Sequence, residues 1–68
     1  MKIKDMAYGE IQFWIDKVEA LKESGFTKQA WCDIGHELMA KHGLTEAVAV
    51  RLLHGDIEGA IKLQEVEA

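Results

Sequence analysis

The sequence predicts an all-α protein: a compact bundle of three to four short helices joined by tight, glycine-containing turns. Apolar residues recur at helical spacing along most of the chain, and proline is absent from it. Glycine also stands shortly before a helix-capping residue type at three places. These places are Gly25-Phe26-Thr27, Gly43-Leu44-Thr45 and Gly55-Asp56.

The 68 residues form one small domain, residues 1–68, with helices expected at about 6–24, 28–42, 46–54 and 57–66. A core of this size supplies only about 3–5 kcal/mol. The single cysteine excludes an internal disulfide. We therefore expect the chain to associate with another protein or with a second copy of itself.

The first helix is expected to begin after Asp5 as N-cap and to end at Gly25, which suits a left-handed C-terminal position. Its apolar residues are spaced so that they share one face. That face comprises Ala7, Ile11, Trp14, Ile15, Val18 and Leu21.

Thr27 is the expected N-cap of the second helix, with Phe26 and Trp31 placed as a hydrophobic staple. Gly35 interrupts the inner face of this helix, which indicates close approach of another helix, under Trp14 or Trp31. The inner face comprises Ala30, Trp31, Ile34, Leu38 and His42.

The third helix, capped by Thr45, is apolar on nearly every side, so it is expected to be central or shared with a partner. Asp56 is the expected N-cap of the fourth helix, whose inner face is predicted to hold Ile57, Ala60 and Ile61.

Composition opposes several classes of function. The net charge of −4 and the pI of about 5.2 disfavour nucleic acid and anionic membranes as partners. The lone Cys32 suits a reducing compartment. No apolar run approaches a membrane span, and the segment 1–5 lacks a signal-peptide core, so a cytoplasmic location is expected.

Residues 38–56 resemble the helix-turn-helix of phage-repressor-type proteins. The string from Gly43 to Asp56 has a glycine, an aliphatic residue and a capping threonine, with Ala49 and Leu52 at the buried positions of the recognition helix. The resemblance implies an alternative function as a DNA-binding transcriptional regulator. The residues near DNA would then be Lys41, Thr45, Glu46 and Arg51. However, Glu46 at the helix start is negatively charged, which opposes contact with phosphate.

Catalytic and metal-binding patterns are weak. Cys32 and His36 share a helix face with Asp33 nearby, but a thiol and an imidazole alone do not make a metal site or a reactive thiolate. We expect no metal, no cofactor and no enzymatic activity.

A second apolar face is predicted on the first helix, where Met6, Phe13 and Ala20 are spaced by seven. Either the fourth helix covers it through Leu63 or Val66, or a partner does. We expect partner binding at Met6, Phe13, Lys17, Ala20 and Val50. The predicted function is a small acidic protein–protein interaction module, a phage-like or accessory regulator or inhibitor of another protein, dimeric through the first helix.

Overall fold

A computed structural model of the chain describes residues 2–67 and confirms the all-α bundle. A 3-10 helix, Ile3–Asp5, precedes four α-helices. These are α1 (Tyr8–Ser24), α2 (Lys28–His42), α3 (Glu46–Leu53) and α4 (Ile57–Glu67). The short α3 packs against the other three α-helices, while α4 also packs against the 3-10 helix. The bundle is therefore organised around α3.

The three predicted glycine turns are present. The φ angles are 117° at Gly25, 65° at Gly43 and 84° at Gly55, all in the region that side chains disfavour. Gly43 has the left-handed conformation that ends α2, and its N–H donates to the carbonyl oxygen of Met39. The connections between helices can be this short because glycine reverses the chain at each of them.

The caps predicted for the second, third and fourth helices are also confirmed. In each case a side-chain oxygen accepts a hydrogen bond from the backbone N–H three residues further on. The donor–acceptor distances are 3.2 Å for Thr27, 3.4 Å for Thr45 and 2.9 Å for Asp56. These bonds satisfy donors that would otherwise lack partners at the first turns of α2, α3 and α4.

The predicted start of the first helix is wrong. Asp5 belongs to the 3-10 helix, Met6 is extended, and α1 begins only at Tyr8 after an N-cap residue, Ala7, that makes no side-chain cap. The reason is tertiary: Ile3 is fully buried and Met6 is 7% exposed, so the chain bends to place both in the core. The other helix bounds agree with the prediction to within one residue.

The core joins residues from every helix. Its members with 4% exposure or less include Ile3, Trp14, Val18, Leu38, Val48, Ala49, Leu52, Leu53 and Ala60. The prediction that Gly35 lies under a tryptophan is not supported. A methyl group at Gly35 would lie 3.7 Å from Cδ1 of Leu53, an ordinary contact, so packing does not require glycine there.

None of the helices within residues 2–67 combines the length and apolarity needed to cross a lipid bilayer.

Candidate functional site

Phe13 lies on the side of α1 that faces α2, next to a surface concavity of about 410 Å³. We call this the Phe13 surface; it is lined by Phe13, Trp14, Lys17, Glu37, Ala40 and Lys41. The Phe13 ring packs edge-on against Trp14, with centroids 5.2 Å apart. Trp14 is 2% exposed and Phe13 is 46% exposed. Trp14 is thus part of the core, and Phe13 packs on it with about half of its side chain exposed to solvent.

Two lysines flank the aromatic pair. The Lys17 ammonium lies 5.1 Å from the Phe13 ring centroid, and the Lys41 ammonium lies 5.9 Å from it. Each such contact is worth roughly 0.5–1 kcal/mol at an exposed site. Both lysines also have acidic partners, since Lys17 is 3.1 Å from Glu37 and Lys41 is 3.6 Å from Glu10. The positive charge at this surface is therefore largely neutralised within the chain.

A histidine–glutamate pair lies behind the aromatic pair. Nε2 of His42 is 2.9 Å from Oε1 of Glu10, and the His42 ring packs edge-on against Trp14. His42 is 9% exposed, as the inner face predicted for the second helix requires. The pair joins α1 to the end of α2 and so fixes the two helices that carry the Phe13 surface.

The pKa of Glu10 is lowered from its ordinary value. The main cause is the hydrogen bond with His42, assisted by the charges of Lys41 and His42 and opposed by desolvation. The indole N–H of Trp14 is buried without a well-formed hydrogen bond among residues 2–67, and it adds the smallest of these effects. Ionised Glu10 is thus favoured by folding.

This lowered pKa predicts a pH-dependent stability. Because folding lowers the pKa, ionised Glu10 stabilises the fold above its ordinary pKa, and the contribution is lost as the pH falls through the folded-state pKa. Glu10→Gln should be less stable than the wild type at neutral pH, and the difference should shrink as the pH falls below the ordinary glutamate pKa of 4.5. This prediction is checked by measuring the urea midpoints of both proteins from neutral to acidic pH. Glu19→Gln is the control, because Glu19 is exposed and makes no ion pair among the described residues. A gap that stays constant with pH would contradict the assignment.

The predicted partner-binding residues do not all share one surface. Phe13 and Lys17 lie together at the Phe13 surface, and Ala20 is exposed further along α1. The predicted placement of Met6 on the second apolar face of the first helix is wrong, because Met6 precedes α1 and is buried in the core. Val50 is half-buried on α3 and lines a different concavity.

The C-terminal helix does not cover Phe13. Val66 is 81% exposed, and Leu63 packs against the buried core. The predicted alternative, in which one of these two residues hides the aromatic ring, is therefore not realised within residues 2–67. Half of the Phe13 side chain remains accessible.

A second concavity of about 430 Å³ lies where α1 ends and α2 begins, and sequence reasoning missed it. We call it the Phe26 groove. Its floor is formed by the buried Val18 and Leu53. Its remaining lining residues are Lys22, Phe26, Lys28, Trp31 and His54. The Trp31 and His54 rings pack edge-on with centroids 5.7 Å apart. The sequence does contain a signal for this groove, because Lys22 and Lys28 flank Phe26. From the sequence, Phe26 was assigned only to a hydrophobic staple.

The third concavity, about 730 Å³, lies over the outer side of α3. It is lined by Glu46, Ala47, Val50, Arg51, His54 and Asp56. Two of the four residues expected near DNA, Glu46 and Arg51, are therefore among its lining residues. Arg51 lies 3.4 Å from Asp56 in an ion pair. The Thr45 hydroxyl lies 3.0 Å from a carboxylate oxygen of Glu67 and donates to it. Lys41 is not brought to this concavity, because it lies at the Phe13 surface.

Within the described part of the chain, His, Cys, Asp and Glu side chains form no group of three placed to hold a metal ion. Cys32 is a half-buried free thiol on α2. Comparison of the chain with models of known protein families, with curated proteins and with solved structures finds no match.

Proposed function

We propose that this protein is a small interaction module that binds another protein through the Phe13 surface. The observation that carries the proposal is the position of Phe13: 46% exposed, seated on the buried Trp14, and left uncovered by α4. Aromatic side chains on a rigid base are the residues that most often dominate binding energy at protein interfaces. Covering the exposed part of this ring would contribute about 1–2 kcal/mol.

The surroundings of Phe13 support a protein partner. Lys17 and Lys41 place their ammonium groups 5.1 Å and 5.9 Å from the Phe13 ring centroid, and these groups are paired with Glu37 and Glu10. The result is an apolar centre with a neutralised polar rim, as in interfaces between proteins. A chain of 7.6 kDa acts on a larger partner by occupying part of its surface, which is the basis for proposing a regulator or inhibitor.

The partner is either a different protein or a second copy of this chain bound through α1. A lone, half-buried thiol fits a reducing compartment, which supports a cytoplasmic location. The two kinds of partner are separated by measuring the mass of the purified protein in solution.

Phe13→Asp tests the proposal. We expect it to weaken partner binding by about tenfold or more, because a carboxylate replaces the apolar centre of the interface. Quantitative affinity capture from cells that contain the protein reports a foreign partner, and light scattering reports self-association. A photo-crosslinking residue at position 13 then shows that the partner touches this surface.

Tyr8→Asp is the matched control, since Tyr8 is 75% exposed on another face of α1. Circular dichroism should show the same helicity in both variants and the wild type. The proposal fails if Phe13→Asp keeps the same mass and retains the same proteins as Tyr8→Asp.

The second candidate is DNA binding through α2 and α3. It is favoured by Gly43 at φ 65° and by Ala49 and Leu52, which are 1% and 0% exposed, as the helix-turn-helix resemblance implies. It ranks second because Arg51 is paired with Asp56, and Glu46 stands at the start of α3. Fluorescence polarisation with duplex DNA at low salt distinguishes the candidates: salt-sensitive binding that is lost in Arg51→Ala would place DNA binding first.

A further inference from the structure

We propose that the Phe26 groove is a second docking site, which takes an acidic segment of a protein partner with a bulky apolar side chain between its carboxylates. The proposal does not depend on the Phe13 surface, because the Phe26 groove and the Phe13 surface share no lining residue. Its basis is the combination of an apolar floor, an exposed aromatic ring and uncompensated positive charge.

The apolar part of the groove suits one or two bulky side chains. Its volume is about 430 Å³, and its floor is formed by Val18 and Leu53, which are 3% and 4% exposed. Phe26 is 53% exposed, and the half-buried Trp31 is held against His54. An apolar side chain inserted here would contact both aromatic residues, which are types enriched at protein–protein interfaces.

The charges of the groove indicate what must surround that side chain. Lys22 and Lys28 line it, no acidic residue does, and neither lysine forms an ion pair among residues 2–67. The Phe13 surface provides the contrast, because both of its lysines have carboxylate partners. The first turn of α2 also lacks an acidic residue, so the positive end of the helix dipole adds to the lysines. In a chain of net charge −4, this groove is a local positive site that carboxylates would complement.

Two other occupants fit less well. A nucleic acid would extend beyond the groove and meet the remainder of a net acidic chain, which repels phosphates. A second copy could offer Val66, which is 81% exposed between Glu65 and Glu67. However, the head-to-tail contact that results would form rings or open chains. The Glu67 carboxylate also already accepts a hydrogen bond from Thr45. An acidic segment of a different protein satisfies the groove without these costs.

The test is a titration of the full chain, followed by NMR amide shifts, with a short peptide of alternating glutamate and leucine. We expect shifts at Lys22, Phe26, Lys28 and Trp31, and binding that weakens as salt is added. Lys22→Glu with Lys28→Glu should raise the dissociation constant about tenfold or more. The control is Lys4→Glu with Lys62→Glu, which changes the net charge by the same amount at exposed sites outside the groove. It should leave the dissociation constant within about twofold of the wild-type value.

Two further titrations separate this proposal from its alternatives. Phe13→Asp should bind the peptide like the wild type, so failure of this proposal is distinguishable from failure of the proposed function. A peptide with serine in place of leucine should bind more weakly, because it lacks the apolar anchor. Three results would each overturn the proposal: tighter binding of an oligo-thymidine probe, shifts confined to the Phe13 surface, or groove shifts that appear with protein concentration alone.

Discussion

Leu52→Ala is expected to unfold a large part of the protein population at physiological temperature. Leu52 is fully buried in α3, the helix that packs against α1, α2 and α4. Removing a buried leucine side chain costs about 2–5 kcal/mol. A core of this size supplies about 3–5 kcal/mol in total, so the two quantities are comparable. Urea denaturation followed by circular dichroism measures the loss.

The control lies on the same helix. Val50 is half-buried at the outer side of α3, and alanine is the better helix former, so Val50→Ala should cost less than about 1 kcal/mol. If the two variants were equally stable, α3 would not be the centre of the core. Leu52 also occupies a buried position in the helix-turn-helix resemblance. The stability of Leu52→Ala must therefore be measured before any loss of DNA binding by this variant is interpreted.

Local sequence signals predicted most of the helical framework. Thr27, Thr45 and Asp56 were identified as caps because their short polar side chains satisfy N–H groups only a few residues away. The apolar spacing likewise predicted burial of Trp14, Val18 and Leu38, because helical geometry fixes which residues share a face. Interactions of short range in the chain are the ones that its local pattern can encode.

The candidate site was predicted only in part, for the same reason. Phe13 and Lys17 are one helical turn apart, so their proximity follows from α1 alone. The placement of Met6 was wrong because Met6 precedes α1 and is buried in the core, so the periodicity of the first helix does not determine its position. The Phe26 groove needs α1, the turn after it, α2 and the end of α3 together, and no spacing within one helix reveals such a combination.

The N-terminal segment is the clearest case of a structure that periodicity does not reveal. Ile3 stands between two lysines without an apolar neighbour in sequence, yet it is fully buried. Its backbone N–H donates a 2.7 Å hydrogen bond to Oε1 of Gln64, 61 residues away. The 3-10 helix therefore packs against α4 and connects segments that are distant in the sequence.

Ile3→Asp is accordingly expected to be among the most damaging substitutions in the chain. It removes a buried side chain and places a carboxylate in an apolar site, and together these changes cost about 3 kcal/mol or more. The fold then responds in one of two ways: it unfolds as a whole, or it releases the N-terminal segment and exposes α4. Hydrogen exchange distinguishes them, because release raises exchange in α4 while α2 stays protected.

Lys4→Asp is the matched control, since Lys4 is exposed in the same 3-10 helix and receives the same new carboxylate. It should leave the urea midpoint and the exchange of α4 close to those of the wild type. Equal behaviour of the two variants would mean that the buried position of Ile3 does not stabilise the bundle. A large effect at Ile3 alone would establish that the N-terminal segment belongs to the core and that α4 depends on it. In that case truncating the first residues to simplify binding experiments would damage the fold itself.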